Sequence, residues 1–311
     1  MLLLLLSRTA RAFFLLLLLS LLVFALSRKM PGDIWTSLEM DPSVSPETIR
    51  QLRAAYDLDR PLPVQYARWL RLLLHGNLGY SPLEKRAVGP LLRERLASTV
   101  MLSSVTLGLT VLASLLLSLF TLKRKWDQRW LDSAFIPFLL AVPTTLTCLL
   151  LNWVRIHSGA VSFRDSSGSG SDFTAVIWPS LALSIPVTAY LARQLRREMS
   201  QILDSQYVMM AESKGLPILS LFRHIMRPAA PVFLNLVGVL FTSLIGGAIV
   251  AETVFDFPGI GLLTWEAVLN RDIFLLISSV LAGCTLVIIV NLAVDLLALW
   301  ADPRLQIETS P

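Results

Sequence analysis

Long apolar runs, separated by shorter polar segments, dominate this chain. Runs with few or no charges lie at about 12–27, 96–122, 133–154, 173–192, 229–251 and 273–294. Most of them reach the roughly 20 residues that a helix needs to cross about 30 Å of hydrocarbon. The pattern predicts an all-α, polytopic membrane protein with six transmembrane helices.

The first of these runs is the shortest, and basic residues enclose it. Arg8 and Arg11 lie on one side, and Arg28 and Lys29 on the other. A secretory signal peptide has the same pattern, but no small-x-small cleavage site follows cleanly. We therefore predict an uncleaved transmembrane helix within residues 1–29, with long basic side chains that reach toward the headgroups.

Basic residues are distributed unequally between the connecting loops, and this predicts the orientation. Loops 123–132 and 193–228 together hold ten lysines and arginines, whereas the short loops on the opposite side hold three. Since short basic loops stay in the cytoplasm, both termini are predicted to be cytoplasmic. The net charge of +5 reflects this topology and does not indicate a nucleic-acid partner.

Composition agrees with a membrane protein, and the pattern divides the chain into three parts. The 311 residues are 54% hydrophobic and 16% charged, with a mean hydropathy of +0.65, outside the range of ordinary soluble domains. Residues 1–29 hold the first helix, 30–95 form an extracytoplasmic segment, and 96–311 form a five-helix core. The outer segment is long enough to escape the charge rule.

The outer segment contains two predicted helices. Ser45 followed by Pro46 reads as the start of one, and residues 64–76 show an amphipathic pattern that ends at Gly76. In the second, Tyr66, Leu70, Leu73 and Leu74 would share the apolar face. We expect it to lie along the membrane surface. Loop 155–172 ends in RDSSGSGSD, residues 164–172, which reads as a solvated Ser/Gly tether.

Prolines and small residues mark the predicted contacts between spans. Pro137, Pro143, Pro179 and Pro186 are expected to interrupt the third and fourth helices. Small residues recur every four positions in the last two spans, and such faces allow helices to approach closely. They are Gly238, Thr242 and Gly246 in the fifth span, and Ser279 and Gly283 in the sixth.

The polar stretch AESKGLPILSLFRHIMRP, residues 211–228, predicts a compact helical elbow on the cytoplasmic face. Asp204 or Ser205 would cap a first helix that ends at Gly215 in the left-handed conformation. Pro217 then starts a second short helix, which Pro228 would separate from the fifth span. The apolar residues Tyr207, Met210 and Ala211 could dock in a partner's groove, or the elbow could rest on the protein's own underside or on headgroups.

The stretch AETVFDFPGIGLLTWEAVLNRD, residues 251–272, predicts a second irregular element, at the outer side. A tight turn is expected from Pro258 to Gly261, followed by a short helix that packs back toward the membrane. Glu252 lies at the membrane boundary, where a carboxylate is either functional or simply interfacial.

Several chemistries lack the residues that they require. The spans after the first hold no charges in their apolar runs, and Asp295, just past the sixth run, is the nearest candidate for a buried titratable group of an ion-coupled carrier. No Gly-Lys dipeptide occurs, so no phosphate-binding P-loop is present, and no G-x-S-x-G occurs either. Cys148, Cys284 and three scattered histidines suggest no zinc site. We predict no catalytic residues, no metal site and no cofactor in this chain.

The elbow resembles the EAA loop of binding-protein-dependent ABC importer permeases. In that loop an alanine is followed four residues later by glycine, then by isoleucine and proline, as in Ala211, Gly215, Ile225 and Pro228. Met209 and Met210 replace its glutamate and first alanine. Separate stretches also resemble the B-type permease of dipeptide, oligopeptide and nickel importers. They are MPGD at 30–33, LDRPLPVQYARWL at 58–70, HGNLGYS at 75–81, AETVFDFPGIG at 251–261, RD at 271–272 and NLAVDLLALWADPRL at 291–305.

This resemblance implies a type I ABC importer permease fold in the bacterial inner membrane. The chain would pair with a second homologous permease, two ABC ATPase subunits that bind ATP and Mg, and an extracytoplasmic binding protein. The loop 193–228 would couple ATP hydrolysis to alternating access. The implied coupling residues are Tyr207, Met210, Ala211, Lys214, Gly215, Leu216, Phe222, His224, Ile225 and Pro228. The implied residues of the outer gate and binding-protein side are Glu252, Phe255, Pro258, Gly259, Gly261, Arg271 and Asp272.

The resemblance leaves the transported solute open. Short peptides are the first expectation, with a nickel or metal chelate, an antimicrobial peptide or another small solute as alternatives. A stand-alone secondary carrier is the alternative from a different class, and a membrane scaffold without transport is a third. We expect no enzyme activity in the chain itself. Membrane lipids are expected as further partners, and nucleic acid is not.

Overall fold

Helices and one short hairpin follow one another in the computed structural model, which describes residues 2–27, 47, 61–81, 84, 86–123, 134–159, 173–203 and 205–301. The first elements are α1 (Leu2–Ser27), α2 (Leu62–Leu74), β1 (Tyr80–Ser81), β2 (Arg86–Ala87), α3 (Val88–Lys123), α4 (Ile136–Ala141) and α5 (Thr144–His157). They are followed by α6 (Phe173–Leu203), α7 (Gln206–Ser213), α8 (Ile218–Phe255), α9 (Ile260–Leu269) and α10 (Ile273–Ala301). Apart from Glu47, the predicted helix at Ser45 lies outside the described residues, and so does the Ser/Gly tether at 164–172.

Among the residues that the structure describes, four helical stretches are long and apolar enough to cross a membrane, which confirms a largely helical membrane protein. They are Val88–Phe120 in α3, Ala175–Leu203 in α6, Ile218–Phe255 in α8 and Ile273–Val294 in α10. A shorter apolar stretch, Ala10–Leu26, lies in α1.

The third apolar run is divided between two helices. Helix α4 ends at Ala141, Val142 is extended with ψ of 119°, and Pro143 precedes the first residue of α5. Because the residue before a proline avoids the helical region, this break is the interruption expected at Pro143. Pro137 instead lies in the first turn of α4, where a missing N–H costs nothing.

The interruptions predicted at Pro179 and Pro186 are wrong, since α6 runs continuously through both. A proline removes one hydrogen bond but does not end a membrane helix whose neighbours hold it in place. Ala182 and Leu183, between the two prolines, are buried against α5 and α8. Tertiary packing therefore overrides the local preference.

The predicted separation at Pro228 is also wrong. Helix α8 begins at Ile218 and continues through Pro228 and Pro231 to Phe255. The carbonyls that these prolines leave without helical donors belong to His224 and Arg227, and both residues are exposed. Water or headgroups can satisfy such carbonyls, so the second short helix of the elbow is the beginning of the long helix.

The chain divides into two compact units, and residues 1–98 and 258–288 form the first. One cluster in this unit joins Val88 and Leu91 of α3 with Leu263 of α9 and Leu275 of α10. A second joins residues of α1, α2 and α10, namely Phe24, Trp69 and Ile277.

The amphipathic pattern at 64–76 is confirmed as α2, with a change in the buried face. Trp69 packs on Phe24 of α1, and the Tyr66 hydroxyl lies 2.8 Å from the Ser20 hydroxyl. Tyr66, Leu70 and Leu73 are partly buried as expected, whereas Leu74 is 71% exposed. The prediction that Leu74 lies on the apolar face is wrong. Trp69 lies at the centre of the buried face, and Leu74 is the last residue of α2.

Residues 99–257 and 289–311 form the second unit. Its main cluster joins helices α3, α5, α6 and α8 through Leu102, Cys148, Leu183 and Leu244. Side-chain hydrogen bonds also connect these helices. The Thr147 hydroxyl donates to the Ala182 carbonyl at 3.1 Å, and the Asn152 amide donates to the Val254 carbonyl at 3.1 Å. Cys148 is fully buried, as expected for a packing residue.

Small residues bring α8 and α10 together in the second unit. A Cβ atom on Gly238 would lie 2.2 Å from Cγ1 of Val294, and the Thr242 hydroxyl donates to Oδ1 of Asn291 at 2.8 Å. At Gly246 a Cβ would meet nothing within 4 Å among the described residues. The predicted contact face is thus confirmed at two of its three positions.

Candidate functional site

The elbow consists of α7, the turn after it and the first turns of α8. The Ser205 carbonyl accepts hydrogen bonds from the N–H groups of Val208 at 3.1 Å and Met209 at 3.2 Å, so Ser205 immediately precedes the first residue of α7. Its hydroxyl donates back to the Ile202 carbonyl and does not cap the new helix. Asp204, the other expected cap, lies outside the described residues.

Gly215 lies just after α7 in the left-handed region, with φ of 68°, which confirms the predicted conformation. The Leu216 N–H donates to the Ala211 carbonyl at 3.4 Å, the long bond of a Schellman turn. Pro217 is extended, and its carbonyl accepts from the N–H groups of Ser220 and Leu221 at the start of α8. Local backbone chemistry therefore sets the angle of the elbow.

One face of the elbow packs on the protein itself. Val208, Ala211, Leu221 and Ile225 are buried against Leu195 and Met199 of α6. Leu216 and Phe222 are partly buried at the edge of this cluster. Ala211 and Ile225, expected to take part in coupling, therefore hold the elbow in place and do not present a surface.

The other face exposes large apolar side chains, which we call the elbow patch. It consists of Tyr207, Met209, Met210 and Leu219, which are 46%, 55%, 62% and 66% exposed. Three basic side chains, Lys214, Arg223 and His224, are exposed on the same elements, as is Pro228. Exposed apolar side chains on a polar segment indicate a contact surface.

Sequence reasoning missed Met209 and Leu219. Leu219 lies off the buried stripe of Leu221, Phe222 and Ile225. An apolar residue away from such a stripe could have indicated an exposed apolar side chain. The expectation that the elbow rests on the protein itself is confirmed for one face, whereas docking of the other face in a partner's groove stays a prediction.

Two expected outer-gate residues lie on α8 in the second unit. Glu252 is fully buried, and its Oε1 accepts a hydrogen bond from the Thr99 hydroxyl of α3 at 2.6 Å. Phe255 is buried one turn further along α8, with the Arg155 guanidinium 5.3 Å from its ring centre. The carboxylate is therefore part of the helix packing and is not a solvent-facing interfacial group.

The remaining outer-gate residues lie in the first unit. Gly259 is buried and extended at the N-cap of α9, Gly261 lies within the first turn of α9, and Pro258 is half-buried. The tight turn predicted from Pro258 to Gly261 is misplaced, because Asp256 takes the left-handed conformation with φ of 53°. The short helix expected after the turn is confirmed as α9, with Leu263 and Ala267 buried.

Arg271 and Asp272 end this segment in opposite environments. Arg271 is exposed with φ of 57°, whereas Asp272 is 1% exposed. Asp272 accepts hydrogen bonds from the Ser81 hydroxyl at 2.5 Å and from the Leu275 N–H at 3.1 Å. Burial raises the pKa of Asp272, against the opposing effect of the Ser81 and backbone hydrogen bonds.

Family models match both parts of the chain. The model described as a binding-protein-dependent transport system inner membrane component matches residues 110–307, and the model of the N-terminal part of such components matches residues 1–103.

Curated relatives match over nearly the full length. A probable peptide ABC transporter permease protein of Sinorhizobium fredii is 30% identical over 91% of this chain and 93% of its own. A putative peptide transport system permease protein of Brucella abortus is 32% identical over 98% of this chain and 99% of its own. The oligopeptide transport system permease protein AppB of Bacillus subtilis is 29% identical over 96% of this chain and 98% of its own.

A solved structure shares the fold. The crystal structure of an amino acid ABC transporter with histidines aligns with a TM-score of 0.52 at 18% identity, over 69% of this chain and 94% of that one.

Proposed function

Since the chain belongs to the family of binding-protein-dependent transport system inner membrane components, we propose that its elbow is the surface through which partner ATPases drive transport. The chain is an ABC importer permease, a multi-pass protein of the inner membrane and not itself an enzyme. Permeases of this family work with ATPases and substrate-binding proteins.

The finer organisation is part of the proposal. The chain crosses the membrane six times with both termini in the cytoplasm and pairs with a second homologous permease. Two ABC ATPase subunits hold the ATP and Mg, and an extracytoplasmic binding protein delivers the solute. The basic loops 123–132 and 193–228 support this orientation.

The elbow patch is the observation that carries the proposal. Burying exposed Tyr, Met and Leu side chains in a groove releases free energy at roughly 25 cal/mol for each Å² of apolar surface. Methionines suit such a groove because their unbranched side chains adapt to its shape. The exposed Lys214, Arg223 and His224 supply polar and basic contacts beside the patch.

The continuity of α8 explains how a displacement of the elbow is transmitted to the membrane part of the protein. The helix holds 38 residues, so at about 1.5 Å per residue it spans about 57 Å without a break. Leu219 of the patch and Glu252 at the far end lie on this same helix. A displacement at the ATPase surface therefore moves the membrane part of α8 as a rigid body, as alternating access requires.

Peptides are the proposed solute. Curated relatives that align with nearly the whole chain are named as peptide or oligopeptide permeases. Uncharged spans suit a path for peptides of varied sequence, because no fixed charge selects one side chain. Competition for uptake between peptides and a metal chelate or another small solute would distinguish these possibilities.

Purification of the tagged chain from its native membrane tests the elbow assignment. P-loop ATPases should accompany the wild type and be lost on deletion of residues 209–224 and in Met210→Asp, which places a charge in the patch. Gln206→Asp is the matched control, since it introduces the same acid at an exposed, polar position of α7. Retention of ATPases by Met210→Asp and by the deletion would contradict the proposal.

A further inference from the structure

The end of α8 remote from the elbow receives a side-chain cap from α5. The last four carbonyls of a helix have no N–H donor within that helix. At this end the Phe257 N–H, just past α8, donates to the Glu252 carbonyl at 2.8 Å. The Val254 carbonyl instead accepts from the Asn152 side-chain amide of α5 at 3.1 Å, across 102 positions of sequence.

A second side chain of α5 fixes the direction of this amide. The Arg155 Nε–H donates to Oδ1 of Asn152 at 3.1 Å, so the amide nitrogen faces the Val254 carbonyl. Asn152 and Arg155 are three positions apart, which places them on the same face of α5. A chain of hydrogen bonds therefore runs from a guanidinium through an amide to a helix carbonyl. We call Asn152 and Arg155 the α5 clasp.

The charge of Arg155 acts on the same end of α8. The guanidinium carbon lies 5.3 Å from the ring centre of Phe255, the last residue of that helix. The partial negative charge of a helix C-terminus attracts a cation, and the face of an aromatic ring does the same. Arg155 also lies in the last turn of α5, so its charge favours that helix as well. Its hydrogen bond and its ring contact, however, are directed toward the α8 end.

The clasp adds direction to an apolar contact between the two helices. Phe255 is 4% exposed in the main cluster of the second unit, and Leu151 of α5 and Val254 of α8 pack against that cluster. Apolar burial is not directional, and packed helices can slide past one another by small amounts. A hydrogen bond to one particular carbonyl fixes the position of α8 along α5.

We propose that Asn152 and Arg155 are positioning residues for transport, which fix the last turn of α8 to α5 so that a displacement of the elbow moves both helices together. This inference rests on the proposed function. Without the clasp, the last turn of α8 would fray or slide along α5, and part of the displacement would be lost there. ATP would then be hydrolysed without a matching movement of solute.

Variants separate the clasp from ordinary packing. Asn152→Ala removes the donor to Val254, whereas Asn152→Asp keeps the size and the acceptor for Arg155 but turns an acceptor oxygen toward the Val254 carbonyl. Arg155→Met keeps an apolar stem and removes the charge and the donor, and Arg155→Lys keeps both. Ser158→Ala is the matched control, since the exposed Ser158 hydroxyl next to the clasp donates to the Arg155 backbone carbonyl at 3.0 Å.

The functional assay is peptide uptake and ATP hydrolysis by the complete transporter in liposomes, with its binding protein and a radiolabelled tryptic peptide mixture. Asn152→Ala, Asn152→Asp and Arg155→Met should lower the peptide taken up per ATP hydrolysed by at least about twofold, since each removes a hydrogen bond of the clasp. Arg155→Lys should retain most of the wild-type ratio, and Ser158→Ala should retain all of it. ATPases should copurify with every variant, because the elbow patch lies at the other end of α8.

Amide hydrogen exchange reports on the clasp directly. In Asn152→Asp, exchange within residues 250–257 should become about threefold to tenfold faster, as expected when an opening equilibrium loses one net hydrogen bond. Exchange in the elbow, residues 206–222, should not change. This readout does not depend on the solute.

A wild-type uptake ratio in Asn152→Asp would overturn the inference, since that variant keeps the packing and removes the donor. Faster exchange along the whole of α8 would also overturn it, because that is the pattern of a general loss of structure. Arg155→Met, at a partly exposed position, keeps the test decisive where an Asn152 variant does not assemble. Failure of the proposed function is distinct, because ATPases would then stay bound to Met210→Asp, which leaves the α5 clasp intact.

Discussion

Replacement of Gly238 by alanine tests the close approach of α8 and α10. The new Cβ would lie 2.2 Å from Cγ1, 3.0 Å from Cγ2 and 3.1 Å from Cβ of Val294. Carbon atoms in contact sit about 3.5 to 4.0 Å apart, so the nearest pair must separate by about 1.3 Å. Rotation of the Val294 side chain about χ1 would not relieve this clash, because the Cβ atom of Val294 is itself too close. A β-branched side chain also has few χ1 rotamers in a helix.

Two opposing effects set the size of the change. Overpacking of this kind costs about 1–3 kcal/mol, whereas alanine is about 1 kcal/mol more favourable than glycine inside a helix. Gly246→Ala, in the same helix, gains the second effect without the first, because its Cβ would meet no atom of the described residues within 4 Å. Gly238→Ala should therefore be about 1–3 kcal/mol less stable than Gly246→Ala.

Thermal unfolding of the purified chain in detergent measures this difference. One kcal/mol corresponds to a change in Tm of about 2–4 °C for a domain of 150–250 residues. Val294→Ala should restore most of the loss when it is combined with Gly238→Ala. A Tm for Gly238→Ala equal to or above that of Gly246→Ala would refute the packing described here.

Two further predictions concern the elbow and the buried carboxylate. Gly215→Val should strain the left-handed turn by about 1–2 kcal/mol and uncouple ATP hydrolysis from transport, whereas Gly215→Asn should be tolerated; normal transport by the valine variant would contradict the coupling assignment. Thr99→Val should lower the free energy of unfolding by about 1–3 kcal/mol, because Glu252 loses the hydroxyl that donates to it, while Thr99→Ser should restore it; equal Tm values for the valine and serine variants would show that this hydrogen bond contributes nothing.

Local chemistry explains which parts of the fold were predictable from sequence. Gly215 and Pro217 act through backbone sterics within a few residues, so the elbow could be located in advance. The apolar runs could be read because lipid permits only helices with few charges to cross it. The left-handed Asp256 was missed, since the visible glycines of the next residues suggested the turn instead.

Tertiary contacts decide the features that sequence left open. Pro228 has the same local preference as Pro143, yet α8 continues through the first and the chain breaks at the second. Likewise, Ala211 and Met210 are neighbours on α7, but only packing against α6 shows that the alanine is buried and the methionine exposed. The spacing of apolar residues along a helix shows that it has an apolar face. It does not show which of two apolar faces packs on the rest of the protein.

The two buried acids illustrate the largest gap between sequence and structure. Glu252 and Asp272 each accept a hydroxyl from a segment 153 and 191 positions away, and nothing in the intervening sequence links the partners. Of the groups that act on the Asp272 pKa, Ser81 and the backbone donate hydrogen bonds and Glu84 is an acid, with no cation among them. Hydrogen bonds from a hydroxyl and a helix N-terminus hold a carboxylate less strongly than a buried arginine would. Breaking a buried ion pair would leave two uncompensated charges. The Ser81–Asp272 contact therefore joins two distant segments of the first unit through hydrogen bonds alone, without the stronger attraction of a buried ion pair.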